Sequence, residues 1–116
     1  MSHHAMIAAA RQAFHHAYAP YSNFPVGCAL LDEHGHIHAG ANVENAAYPQ
    51  GQCAEASAIG ALVTSGARRI TKAVICGQGP AMVPPCGGCR QRLREFATLD
   101  TIIHLITPDA EIAQFT

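Results

Sequence analysis

The chain has 116 residues, of which 49% are hydrophobic and 13% charged, and its formal net charge is −1. That length fits one compact domain over residues 1–116, with a real core, and is too short for two. No basic stripe of the kind a polynucleotide surface needs is present, and no apolar run approaches the roughly 18–20 residues that span a bilayer, so neither nucleic acid nor membrane is expected as a partner.

Residues 5–18 read as a helix, with Ile7, Ala10, Phe14, Ala17 and Tyr18 on one stripe. Pro20 and the turn-forming pair Ser22-Asn23 close it. The run Val26 to Leu31 is short and almost wholly apolar, as a buried strand requires. Glu33-His34-Gly35 then makes a turn, and His36 to Ala41 returns as the second strand of a hairpin. A polar loop from Asn42 to Gln52 leads into a helix over about Cys53 to Ser65, stopped by Gly66. Ile70 to Cys76 is a strand, Gly77 to Pro85 a loop rich in Gly and Pro, and about Gly87 to Ala97 a helix. Thr101 to Ile106 is the last clear strand. An opening helix followed by β-β-α-β-α-β implies an α/β layered domain with a mixed sheet.

The N-terminus has no basic segment followed by a long apolar core, so no secretory leader is expected and the protein is placed in the cytoplasm, where thiols stay reduced. Five cysteines is an odd count, which points away from a complete disulfide framework and towards metal or redox chemistry. Sparse surface charge is weak support for an oligomer.

The chemistry concentrates in Cys53-Ala54-Glu55 and Pro85-Cys86-Gly87-Gly88-Cys89. Cys86 and Cys89 stand three apart at an expected helix start, so both sulfurs can grip one ion. Cys53 opens the other helix and can bring a third thiolate to the same point. Helix N-termini suit this task, because their unpaired N–H groups and positive dipole end stabilise thiolates. Three protein ligands on zinc leave a fourth position for water, the catalytic arrangement. Glu55, two residues past its cysteine, is then placed to take a proton from that water and pass it on. A structural zinc site would need a fourth ligand, for which His104 or the alternation His34, His36, His38 stands available. A dithiol redox site would leave Cys53 and Glu55 unexplained. Cys28 and Cys76 lie inside apolar strands and read as small buried core residues.

C-x-E joined to P-C-x-x-C is the signature of zinc nucleobase deaminases. The segments Tyr18-Ala19-Pro20-Tyr21-Ser22-Asn23-Phe24-Pro25-Val26-Gly27, Asn42-Val43-Glu44-Asn45-Ala46-Ala47-Tyr48, Cys53-Ala54-Glu55 and Pro85-Cys86-Gly87-Gly88-Cys89-Arg90-Gln91 resemble the short cytidine deaminases, in register from about residue 8 to 106. The resemblance implies a three-layer α/β/α fold with a mixed five-stranded sheet, and a homotetramer with four active sites near subunit contacts. It implies one Zn²⁺ per subunit on Cys53, Cys86 and Cys89, with zinc-bound hydroxide attacking C4 of cytosine while Glu55 shuttles protons. It also implies that Asn42 and Glu44 hold the ribose 3′-hydroxyl and that Phe24 packs against the nucleoside. Ala46 and Tyr48 would approach the ribose 5′ end in a neighbouring subunit's site, and backbone N–H groups near Ala54 would orient the base. An amide and a carboxylate two apart on an extended segment face the same way, which suits that clamp; ordinary loop chemistry is the plainer reading of the same residues.

Two departures stand out. The family commonly has arginine after the catalytic Glu, where its charge offsets three thiolates; here Ala56 and Ser57 follow. Helix dipoles, backbone N–H groups, Arg90 or Gln52 would have to compensate. Longer relatives also continue past the point where this chain stops, Thr116, into a segment whose aromatic residue closes a neighbour's pocket. The expected activity is deamination of cytidine or deoxycytidine in pyrimidine salvage. The alternatives are a deaminase of another aminated ring, such as a modified cytosine or antibiotic nucleoside, and a zinc-stabilised binding module without turnover.

Overall fold

A computed structural model describes residues 2–47, 51–77, 93–108 and 111–115. Its elements are α1 (Ser2–His16), β1 (Gly27–Asp32), β2 (Ile37–Ala41), α2 (Ala54–Thr64), β3 (Ile70–Cys76), β4 (Ala97–Ile106) and β5 (Glu111–Phe115). The strands form one sheet in the order β2-β1-β3-β4-β5. Only β3 and β4 pair in parallel; the other neighbours are antiparallel. The mixed five-stranded sheet implied by the resemblance is therefore present.

Side chains alternate across this sheet and divide the core into two layers. Cys28 and Leu30 of β1, Ala73 and Ile75 of β3, and Leu105 of β4 join Ala54, Ala58, Ile59 and Leu62 of α2 on one face. Ala29, Val74, Cys76 and Ile106 join Met6, Ile7, Ala10 and Phe14 of α1 on the other. The helical turn at residues 93–96 contributes Leu93 and Phe96 to the α2 side. Helix, sheet and helix thus make three layers. Among the described residues no helix is long and apolar enough to cross a membrane.

The position of α2 is set by a close approach to the hairpin. A Cβ built on Gly40 of β2 would lie 2.4 Å from the Ala58 amide nitrogen and 2.8 Å from Ser57, so only glycine lets α2 sit this near. The helix ends at Thr64, and Gly66 takes a φ of 103°, the left-handed turn expected of a glycine past a helix end.

The elements depart from the sequence reading mainly in three places. The first helix stops at His16, and Tyr18 leaves it to form a bridge with Val43. The strand expected from Thr101 begins at Ala97, directly after the helical turn 93–96, and residues 87–92 of the helix expected before it lie outside the described residues. Thr101 helps fix the early part of β4: its Oγ1 donates to the Ile70 carbonyl at 2.7 Å and accepts from the Thr98 amide at 2.9 Å. Finally, β5 follows what had read as the last clear strand. Its five residues, EIAQF, are too few for a periodic signal, and pairing with β4 is what makes them a strand.

Candidate active site

Cys53 occupies the N-cap of α2 in extended backbone (φ −78°, ψ 163°), and its carbonyl accepts the first helical hydrogen bond, from Ser57 N at 3.1 Å. Its side chain makes no capping hydrogen bond to its own helix. Ala54 is fully buried, and Glu55, in the first turn, is only 5% exposed. A carboxylate there gains from the helix dipole while burial keeps bulk water from it. Below them, Cys28 on β1 has its thiol pushed well up, by burial first and then by the nearby Glu55 and Cys53. Cys28 packs in the same buried cluster as Ala54, the residue between Cys53 and Glu55, so the start of α2 lies over this part of β1. Cys28 and Cys76 are both buried core residues, as expected; burial raises Cys76 to about 11, against a smaller opposing pull from Arg11.

A thiol at a helix N-terminus is a suitable zinc donor, and the described part of the donor set therefore fits the metal. Cys86, Cys89 and Tyr48 lie outside the described residues. None of the histidines available as a fourth ligand is placed at Cys53. His104 pairs with Val74 and so shares the α1 face, opposite α2, with its ring 4.8 Å from that of His3. His38 is on the α2 side but at the far end of that helix, beside Ser65, and its Nε2 bonds Asp32 Oδ2 at 2.8 Å. His34 and His36 sit in or beside the turn that Asp32 organises, both donating their amides to Asp32 Oδ1. This anchoring carboxylate was not singled out by sequence reasoning, although an Asp opening a tight turn is a usable signal.

The second half of the site is a small backbone network. Val43 and Gln52 exchange two hydrogen bonds of 2.8 Å, tying the loop to the residue before Cys53. Tyr18 N donates to Asn42 O at 3.0 Å, and Glu44 N to Tyr18 O at 2.9 Å. Asn42 is buried; its Oδ1 accepts from Val26 N at 2.9 Å and its Nδ2 donates to Phe24 O at 3.1 Å. Glu44 Oε1 accepts from the amides of Tyr21 and Ser22, both at 3.0 Å, and Oε2 accepts from the Ser22 hydroxyl. These bonds hold the Glu44 carboxyl below its usual range, the Ser22 hydroxyl contributing most. Asn42 and Glu44 thus both grip the segment that carries Phe24, which is half-buried. Each retains hydrogen-bonding capacity: one N–H on the Asn42 amide, and one of about four lone pairs on Glu44. One spare donor and one spare acceptor are what a single hydroxyl group needs. Ala46 is exposed.

Residues 1–105 match the family described as "Cytidine and deoxycytidylate deaminase zinc-binding region". The chain belongs to this family. Zinc is the cofactor of that region. The cytidine deaminase of Sporosarcina psychrophila is 39% identical over 96% of this chain and 82% of its own length. That of Halalkalibacterium halodurans is 38% identical over the whole chain and 88% of its own length. Among solved structures, the cytidine deaminase from Burkholderia pseudomallei superposes with a TM-score of 0.91 at 36% identity, over all of this chain and 93% of that one. The cytidine deaminase from Mycobacterium tuberculosis gives 0.80 at 35% identity, over 89% of this chain and 84% of that one.

Proposed function

We propose that the protein hydrolyses the exocyclic amine of cytidine or deoxycytidine, giving uridine or deoxyuridine and ammonia. The observation that carries this reading is the buried carboxylate of Glu55 in the first turn of α2, two residues past the Cys53 N-cap, in a chain of a deaminase family. Cys53, Cys86 and Cys89 hold the zinc in this account. Bound there, the metal would act as a Lewis acid that lowers the pKa of a water towards about 7. Glu55 does the proton work. It takes one proton from the water as the C4–O bond forms and gives it to N3. It then carries the remaining proton of the new C4 hydroxyl to the amino group, so that the C4–N bond breaks and ammonia departs. One water is consumed, and the ring is left with a C4 carbonyl and an N3–H.

Asn42 and Glu44 recognise the sugar through the N–H and lone pair that the loop network leaves over, which suits one hydroxyl, the 3′-hydroxyl. Ribose and deoxyribose both carry that group, so this clamp accepts either. Phe24 packs against the nucleoside and the Ala54 amide orients the base, while Ala46 and Tyr48 serve the 5′ end in a neighbouring subunit's site. Tyr18, Tyr21 and Val43 are large apolar side chains left exposed beside this loop, which supports a subunit contact close to the site. The assembly proposed is a homotetramer of single-domain subunits, working in pyrimidine salvage in the cytoplasm. The test is turnover: zinc-loaded protein is incubated with cytidine and with deoxycytidine, and ammonia and ultraviolet absorbance are followed. Steady release with both supports the reading. No release with zinc fully bound overturns it.

A further inference from the structure

The Ser22 hydroxyl joins the two halves of the nucleoside clamp. It donates its proton to Glu44 Oε2 and accepts from the Phe24 amide at 3.1 Å. Because the hydroxyl has one proton, its direction is fixed: Ser22 gives to the carboxylate and receives from the backbone. Its own amide donates to Glu44 Oε1. Between Ser22 and Phe24 stands Asn23 with a φ of 56°, a left-handed residue that Asn tolerates, which turns the chain sharply where these bonds hold it. Beyond it, Asn42 grips the same stretch at Phe24 O and Val26 N. Of these contacts only the Ser22 hydroxyl links a carboxylate oxygen of Glu44 directly to the residue that carries the Phe24 ring. Residues 22 positions apart in sequence are thereby set in one geometry.

We infer that Ser22 is a positioning residue for sugar recognition, holding Glu44 and Phe24 in register so that the remaining lone pair of Glu44 meets the nucleoside hydroxyl. The inference rests on the deaminase reading above and adds to it a residue that touches neither substrate nor metal. Ser22 acts through Glu44, so its loss weakens binding and spares the chemical step at Glu55. Removing the hydroxyl takes one charge-assisted bond from Glu44 and leaves the Phe24 amide without its acceptor.

The experiment compares wild type, Ser22→Ala and Ser22→Thr on cytidine, with 3′-deoxycytidine as a competing ligand. Ser22→Ala is expected to raise KM for cytidine about tenfold with kcat changed less than about twofold. Ser22→Thr, which keeps the hydroxyl, is expected to restore most of the affinity. The inhibition constant of 3′-deoxycytidine, which still meets Phe24 but lacks the hydroxyl that Glu44 reads, is expected to rise several-fold less than KM for cytidine does in Ser22→Ala. If Ser22→Ala does not fold, Ser22→Cys carries the same comparison, since its thiol fills similar space and donates weakly. A fall in kcat as large as the rise in KM overturns the inference, and so does an equal loss of affinity for 3′-deoxycytidine. A wild type that turns over neither cytidine nor deoxycytidine sinks the deaminase reading and this inference with it, whereas an active wild type with the wrong Ser22 pattern sinks the inference alone.

Discussion

Replacing Gly40 by alanine tests whether the closeness of α2 to the hairpin sets the catalytic geometry. The new methyl would stand 2.4 Å from Ala58 N and 2.8 Å from both the Ser57 carbonyl carbon and its Cβ. Two of these three atoms are backbone, so no side-chain rotation relieves the contact. Restoring ordinary contact at 3.4 Å requires about 1 Å of movement of α2 away from β2. Overpacking of this kind costs about 1–3 kcal/mol, which lowers the melting temperature by at least about 4 °C in a domain of this size. Glu55 lies one turn before Ala58, so the displacement reaches the carboxylate, and a shift near 1 Å can cost up to about a hundredfold in turnover. Melting curves and steady-state deamination of Gly40→Ala measure both. Gly60→Ala is the control: it lies in the same helix with nothing within 4 Å of the added Cβ, and alanine there should match or exceed the parent's stability. A Gly40→Ala protein with unchanged melting temperature and rate would refute the claim that this contact positions the site.

Other perturbations address separate parts of the account. Burial by itself raises the Asp32 pKa, but bonds from His38 and from the His36 and His34 amides outweigh it and lower the group from 3.8 to about 2. A depressed carboxylate stabilises the fold above its unfolded pKa and loses that contribution as pH falls through the folded one, so about 2 kcal/mol should disappear between roughly pH 4 and pH 2. Denaturant titrations across that window should show the loss in the parent and a flatter profile in Asp32→Asn; parallel profiles would remove Asp32 from the explanation. Cys53→Ala should leave less than one tightly held zinc per chain and abolish turnover, read by metal analysis after dialysis and by ammonia release. Full zinc retention would move the metal away from the start of α2.

The sequence made some of this legible because the relevant signals are local. Cys53 and Glu55 were placed correctly at a helix start because C-x-E, an alanine-rich run and a closing Gly66 lie within one short stretch. The hairpin was readable from an apolar run, a turn and a second strand in succession. What stayed hidden depends on contacts distant in sequence. Nothing near Glu44 announces that its carboxylate binds Tyr21 and Ser22, more than 20 positions earlier. Asn42 and Glu44 read in sequence either as a sugar clamp or as ordinary loop chemistry, and neither reading names the distant loop bearing Phe24 that both side chains brace. Gly40 gave a partial signal, since glycine inside a strand marks a close approach, but the partner helix could not be named from that alone. Tyr18 fitted the helical stripe in sequence and was drawn instead into a bridge with Val43.

The most direct test of the central claim is Glu55→Gln, with zinc content and cytidine turnover measured on the same preparation. Glutamine keeps the size of the side chain and cannot carry the proton. The account predicts a protein that folds, holds as much zinc as the parent and turns over at least about a hundredfold more slowly. A Glu55→Gln protein with zinc bound and a parental rate would contradict the assignment of Glu55 as the proton carrier.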